Sequence, residues 1–166
     1  MDEPCTGGDV IVQALKAAGV ECVFGIISIH NLPIYDAIAR ERRIRSITNR
    51  SEQGAVNMAD GYAKATGRLG VVITSTGAGA GNAAGALIEA QTHGTPLLHL
   101  TGQIDSPYLD QGKGFIHECK DQLGILKAIS KDAFRVRSIN LLAATIQTDR
   151  ACKWGWAQKW GNLSGR

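Results

Sequence analysis

The 166-residue chain is predicted to fold as an α/β domain, a doubly wound and mostly parallel sheet with helices on both faces. Short apolar runs alternate along the chain with amphipathic segments of helical spacing, and the connections between them are short. The run 69–74 is apolar almost throughout, as in a parallel strand covered on both faces. A hydrophobic content of 44% and a charged content of 20% are those of a globular domain.

The elements up to residue 101 follow from periodicity and from capping residues. In chain order we expect a helix capped by Thr6 or Asp9 and ended by Gly19, a strand over 20–27, a helix over 31–42, a strand over 44–48, a helix from Glu52 to Gly67, a strand over 69–74, a helix from about Asn82 to His93, and a strand over 96–101.

The rest of the chain is less regular. We expect a loop over 105–113, a helix over 115–129, a strand over 131–137 and a last helix capped by Ser138. One domain is predicted over 1–148. The tail 149–166 holds all three tryptophans without clean periodicity, and both a native interaction tail and the remnant of a truncation or shifted reading frame stay open.

Composition excludes several classes of protein. The net charge of +3 is small, and the arginines within 40–45 are expected to complement a helix end rather than to bind nucleic acid. The four cysteines lie far apart without metal-ligand spacing, which indicates reduced thiols. With no apolar run of membrane-spanning length and no signal-peptide pattern at the start, we expect a cytoplasmic protein that does not bind membranes.

Glu52 is the first candidate for a functional residue. It lies where a strand turns into a helix, the end of a parallel sheet at which ligands bind. Asn49 and Glu52 also have the spacing of a capping box, so a structural role competes with a functional one. Spacing alone favours the capping role.

A glycine-rich segment, 75–82, follows the strand 69–74 and is expected to be a loop before the next helix. Backbone amides in this position favour an anion. Gly79-x-Gly81-x-x-Ala84 matches the dinucleotide fingerprint, so a Rossmann-type module for NAD or FAD is an alternative. Against it, the match lies on a late strand, and Thr101-Gly102-Gln103 follows the next strand where an acid would be needed.

The four histidines divide into two pairs. His99 alternates within an apolar strand and is expected in the core, while His93 ends a helix, where the dipole favours a cation. His30 at a strand end and His117 in a loop are the two that could face a ligand.

Several motifs together resemble one family. They are Val23-Phe24-Gly25, Arg50-Ser51-Glu52-Gln53-Gly54-Ala55, the run 58–67, Thr76-Gly77-Ala78-Gly79-x-x-Asn82, Thr101-Gly102-Gln103 and Ser130-Lys131. In this order and spacing, from Thr6 to Ile146, they resemble the N-terminal, pyrimidine-binding domain of thiamine-diphosphate enzymes of the acetolactate synthase type.

The resemblance implies roles for particular residues. Glu52 would hydrogen-bond the N1′ nitrogen of the cofactor's aminopyrimidine and favour the tautomer that accepts the proton from the thiazolium C2. The cofactor side would comprise Glu52, Thr76, Gly77, Gly79, Asn82, Gly102 and Gln103. Apart from these roles, His30, Phe115 and His117 are our candidates for the substrate side, the two histidines because their positions let them face a ligand.

The resemblance also implies partners. The family holds the diphosphate through Mg²⁺ with a Gly-Asp-Gly motif that this sequence lacks. We therefore expect a homo- or hetero-oligomer that includes a diphosphate-binding domain or subunit, and a chain inactive alone. The implied reaction is decarboxylation or carboligation of a 2-oxo acid. A non-catalytic dimerisation partner is a further alternative.

Overall fold

The sheet has four parallel strands in the order β2-β1-β3-β4 in a computed structural model that describes residues 5–146. The elements are α1 (Gly7–Ala17), β1 (Cys22–Gly25), α2 (Leu32–Glu41), β2 (Arg45–Thr48), α3 (Glu52–Thr66), β3 (Gly70–Thr74), α4 (Ala78–Thr92), β4 (Leu97–Thr101), a 3₁₀ turn (Ser106–Tyr108), α5 (Gln122–Ala128) and a helical segment over 139–146, α6.

Two apolar clusters cover the two faces of the sheet. On one face, α1 and α2 pack residues such as Leu15 and Ile38 against Val71 and Ile73 of β3. On the other, α3 and α4 pack Val56 and Leu87, among others, against Val72. All five residues of β3 are buried, because both of its faces are covered. The predicted doubly wound α/β fold is confirmed.

The order of the strands determines where a ligand can bind. From β1 the chain crosses to β2 on one side, whereas from β3 it crosses to β4 on the other side. The loops that leave β1 and β3 therefore diverge and leave a crevice at the carboxyl edge of the sheet. The candidate residues on the cofactor side follow β2, β3 and β4, in the connection after each strand or in the first two turns of the next helix.

Two helix caps are formed by the residues that the sequence predicts, and a third is formed by a different residue. Thr6 caps α1 in a capping box with Asp9, and Gly67 ends α3 in the left-handed conformation at φ 68°. The capping box expected between Asn49 and Glu52 does not form. Ser51 caps α3 by accepting from the Gly54 amide (3.0 Å), and Asn49 accepts from the Gly25 amide (3.1 Å).

Two other boundaries differ from prediction. The strand expected over 20–27 spans only Cys22–Gly25, because the buried Asn31 binds the loop that follows through the Ser28 amide and the Ile26 carbonyl. The helix expected from Asn82 begins at Ala78. The segment 75–82 is therefore a short turn followed by helix rather than a loop.

The largest differences lie after β4. The helix expected over 115–129 forms only at Gln122–Ala128, since Glu118 accepts from the Gly112 and Phe115 amides and folds the preceding residues into a loop. The strand expected over 131–137 is absent from the described residues; Arg135 and Arg137 there pair with Asp110 instead. The helix expected after Ser138 forms over 139–146, and the tail 149–166 lies outside the described residues.

Three features of residues 5–146 concern membrane spanning, disulfide bonding and metal binding. Every helix in this range is too short or too polar to cross a membrane. Cys5, Cys22 and Cys119 are free thiols. The same range contains no group of three His, Cys, Asp or Glu side chains able to hold a metal ion.

Candidate active site

Four strand-end segments supply the site. Glu52 follows β2, His30 follows β1, the Thr76–Gly77 turn follows β3, and Gly102–Gln103 follow β4. Because all four strands are parallel, these segments meet at one edge of the sheet. The structure thus brings together the cofactor-side residues that the sequence singled out.

Glu52 is half-buried at the first position of α3, and its two carboxylate oxygens differ. Oε2 accepts from the Nδ2 of Asn82 on α4 (3.1 Å). Oε1 lies against Gly79, where an added Cβ would be 3.3 Å from it and 2.9 Å from the Cβ of Ser75. No donor within residues 5–146 bonds Oε1, so this oxygen can accept from a ligand.

The Thr76–Gly77 turn has an uncommon backbone. Gly77 adopts φ 53° and ψ −105°, a conformation that suits only glycine, and a Cβ there would overlap the carbonyl oxygen of His117. The Thr76 side chain is fully buried, and its hydroxyl donates to the Oε1 of Gln122 (2.7 Å), with the Oε1 of Gln103 3.2 Å away. The turn therefore starts α4 in a fixed direction.

Gly102 lets two strand-end segments approach each other. A Cβ at this position would lie 2.6 Å from the carbonyl oxygen of His30, and the Gly102 amide donates to the carbonyl of Thr74 (3.1 Å). Gln103 accepts from the Ile104 amide (2.9 Å). The glycine is thus required for packing of the β1 and β4 ends.

His30 and His117, the substrate-side histidines, are brought together. Their rings meet edge to face with centroids 5.6 Å apart, and the Nδ1 of His30 lies 3.4 Å from the Oγ of Ser75. Burial lowers the pKa of His30, the neighbouring His117 lowers it further, and Asp105 opposes both effects. A neutral His30 is available as a proton acceptor or donor at neutral pH.

Phe115 and the other two histidines have other surroundings. Phe115 stacks on Tyr108, with ring centroids 4.5 Å apart. His99 is half-buried, with Nε2 2.8 Å from the Oγ1 of Thr74, and the Nδ1 of His93 bonds the Glu89 carbonyl at the end of α4 (2.7 Å). Both therefore make structural contacts.

Gln122 is the residue that sequence reasoning missed. It is buried at the start of α5, and its Oε1 also accepts from the Gly77 amide (2.6 Å) while its Nε2 donates to the Gly102 carbonyl (3.3 Å). A signal was present, because Gln122 precedes Leu126 and Ile129 by four and seven residues and so shares their helix face. A polar residue on an apolar face needs a specific partner.

The site offers an acceptor for a ring nitrogen, and its glycines are not placed as in a dinucleotide-binding site. A carboxylate oxygen without a donor can accept from a protonated ring nitrogen. In the dinucleotide fingerprint the first two glycines belong to the strand-to-helix turn, but Gly79 and Gly81 lie within α4. The Rossmann-type alternative is therefore not favoured.

The sequence matches the family model described as the thiamine pyrophosphate enzyme N-terminal TPP binding domain over residues 5–125. It is 39% identical over 137 residues to the acetolactate synthase large subunit of Lactococcus lactis subsp. lactis, covering 82% of this chain and 23% of that protein. The Haemophilus influenzae large subunit is 39% identical over 142 residues, covering 86% and 24%. Chloroplastic acetolactate synthase of Arabidopsis thaliana is 39% identical over 103 residues, covering 62% and 15%.

Proposed function

Because this chain belongs to the thiamine pyrophosphate enzymes, as their N-terminal TPP-binding domain, we propose that Glu52 binds the aminopyrimidine of thiamine diphosphate in an acetolactate synthase-like enzyme. The enzyme would decarboxylate a 2-oxo acid or join it to an acceptor. The observation that carries this proposal is the carboxylate of Glu52, whose Oε1 has no donor among residues 5–146 and whose Oε2 is fixed by Asn82.

When bound, thiamine diphosphate supplies the carbanion chemistry, which protein side chains cannot provide. The role of Glu52 is to accept a hydrogen bond from a ring nitrogen and to hold or return a proton at Oε1. Asn82 prevents rotation of the carboxylate by binding Oε2. Gly79 allows the α4 backbone to approach the carboxylate closely enough for this bond.

His30 and His117 support a substrate side next to the cofactor side. His30, which follows β1, approaches Ser75, which follows β3, so the two lie on the two sides of the crevice, and His30 also touches Gly102 after β4. A lowered pKa keeps the His30 imidazole neutral, so it can move a proton on the substrate without attracting water as a cation would. We propose that this pair faces the 2-oxo acid.

A second domain or subunit is needed to bind the diphosphate. The chain spans about a quarter of the length of the bacterial relatives it matches, 23% and 24%. Residues 5–146 offer no cluster of metal ligands, and the 166-residue sequence contains no Gly-Asp-Gly. We propose that the partner supplies the Mg²⁺ ligands.

The outer surfaces of α3 and α4 support such a partner. Gly61, Gly81 and Gly85 lie within these helices with open space where a Cβ would be, although glycine weakens a helix interior. The same surfaces expose Met58 (46%) and Ile88 (44%). We call these five residues the glycine face. Glycine permits close approach of another backbone, and exposed apolar side chains favour burial.

Glu52→Gln tests the proposed function. The chain is mixed with a diphosphate-binding domain taken from a related synthase, and thiamine diphosphate with Mg²⁺ is titrated while turnover of a 2-oxo acid is followed. We expect saturable binding by the wild-type mixture and a fall in turnover of about 100-fold or more for Glu52→Gln, since proton transfer by a placed side chain contributes about 10²–10⁴-fold.

Glu21→Gln is the matched control, because Glu21 is an exposed glutamate before β1, at the rim of the sheet opposite Glu52. Its turnover should equal that of the wild type. Equal turnover of Glu52→Gln and wild type would refute the assignment of Glu52. Absence of binding in the wild-type mixture, with assembly intact, would favour a non-catalytic dimerisation partner.

A further inference from the structure

Gln122 joins two of the four strand-end segments described above, the one after β3 and the one after β4. Its Oε1 receives two hydrogen bonds, from the Thr76 hydroxyl (2.7 Å) and the Gly77 amide (2.6 Å), and its Nε2 donates to the Gly102 carbonyl (3.3 Å). The side chain is 6% exposed. The side-chain amide of this one buried residue on α5 thus joins the end of β3 to the end of β4.

The hydrogen bond from the Gly77 amide to Gln122 holds the backbone of Gly77 in its unusual conformation. Gly77 has a positive φ of 53°, and its amide makes no other hydrogen bond within residues 5–146. Removing Gln122 would leave this amide and the Thr76 hydroxyl without their strongest acceptor. A partly buried donor without an acceptor costs more than a neutral hydrogen bond contributes, so the turn would rotate to find another partner.

Rotation of this turn would reach Glu52 through α4. Gly77 is the residue before α4, and its carbonyl accepts from the Gly81 amide in the first turn (2.8 Å). Asn82, the next residue, holds Oε2 of Glu52. Any reorientation of the first turn of α4 therefore moves the Asn82 amide relative to the carboxylate.

We propose that Gln122 is a positioning residue for the thiamine diphosphate site, acting on Glu52 through the Thr76–Gly77 turn and Asn82. The proposal rests on the proposed function above. It assigns to the short helix α5 a role in the site that its place outside the sheet does not suggest.

The test uses the full 166-residue chain, alone and mixed with the diphosphate-binding domain. Gln122→Met removes the acceptor and the donor at similar volume, whereas Gln122→Glu keeps the acceptor at Oε1 and loses only the donor at Nε2. Amide hydrogen exchange measured by NMR should become about tenfold faster at Gly77 in Gln122→Met, relative to Val72 of β3 in the same variant, and stay near wild type in Gln122→Glu. In the mixture, Gln122→Met should weaken apparent binding of thiamine diphosphate about tenfold, with Gln122→Glu closer to wild type.

Gln13→Met is the control, because Gln13 is exposed on α1, on the opposite face of the sheet. Should Gln122→Met not fold, Gln122→Asn shortens the side chain by one methylene and tests the same contacts. Unchanged exchange at Gly77 in a folded variant would overturn the proposal, and so would faster exchange with unchanged cofactor affinity. Failure of the wild-type mixture to bind thiamine diphosphate would refute the proposed function instead, while the exchange data would still decide whether Gln122 sets the turn.

Discussion

The pKa of His30 shows how one neighbouring ring affects another in this site. Burial is the main cause of its depression, the charge of His117 is the second, and Asp105 acts in the opposite direction. In His117→Gln we expect the pKa of His30 to rise but to stay below the ordinary value of 6.5, because burial remains. An NMR titration of the imidazole resonances measures it.

The control for this titration is His93→Gln, since His93 lies at the far end of α4. It should leave the pKa of His30 unchanged. If His117→Gln also leaves it unchanged, the two rings do not interact electrostatically.

Asp9 gives a pH dependence of stability. Hydrogen bonds from the Thr6 hydroxyl and amide lower the pKa of Asp9 from 3.8 to about 2, and Arg40 contributes less. The carboxyl group of Asp9 therefore takes up a proton at a higher pH in the unfolded chain than in the folded chain. The ionised Asp9 gives its full contribution to the free energy of unfolding above about pH 4–5, and this contribution is lost as the pH falls through about 2.

We expect Asp9→Asn to lower the free energy of unfolding at pH 6 and to have little effect on it near pH 2. Urea unfolding at the two pH values measures the difference. A pH-independent difference between the two proteins would show that Asp9 acts through its hydrogen bonds in both protonation states.

At the scale of elements, α3 allows two glycines to be compared, one inside the helix and one directly after it. Gly61 lies in the helix interior and Gly67 ends the helix at φ 68°, and neither would place a Cβ within 4 Å of another atom. Alanine should therefore stabilise the chain by about 0.5–1 kcal/mol at position 61 and destabilise it by about 1 kcal/mol at position 67. Urea midpoints with unchanged slopes would measure both, and effects of the same sign would contradict the prediction.

Elements with strong local signals can be predicted from the sequence, and those without them cannot. The end of α3 at Gly67 and the buried strand β3 follow from sequence because capping and periodicity act within a few residues. The segment 115–129 has apolar spacing typical of a helix, yet the Glu118 carboxylate and a positive φ at His117 keep its first part as a loop. A side chain that bonds amides six and three residues before it in a loop leaves no periodic signal.

In the candidate site, too, local sequence patterns do not show which residues contact each other. Motifs point to Glu52 and to Asn82, but the hydrogen bond between them joins residues 30 positions apart. Gln122 reaches Thr76 across 46 positions, and nothing in the local pattern names that partner. The sequence indicates that such a buried polar residue has a partner, and only the fold supplies its identity.

At the scale of the whole molecule, α1 and α2 cover one face of the sheet, and α3 and α4 cover the other. The outer sides of α3 and α4 carry the glycine face, for which we propose contact with the partner domain. Gly85→Leu should leave the lone chain as stable as wild type or more so, because leucine favours a helix, but should weaken assembly with the diphosphate-binding domain at least about tenfold.

Isothermal titration of one domain into the other measures this assembly. Gln13→Leu, on the exposed side of α1, introduces the same side chain on the opposite surface and should not affect it. Equal weakening by both variants would mean that the partner does not use the glycine face.

The parallel order of the strands also determines where the chain can be attached to a support. All functional candidates lie at the carboxyl ends of the strands, so the turns at the other rim, around Gly19, Gly67 and Gly94, are remote from the chemistry. Each of these three turns is already left-handed and solvent-accessible or nearly so. A biotin attached to an exposed residue beside one of these glycines would fix the protein to a surface with its pocket facing the solution.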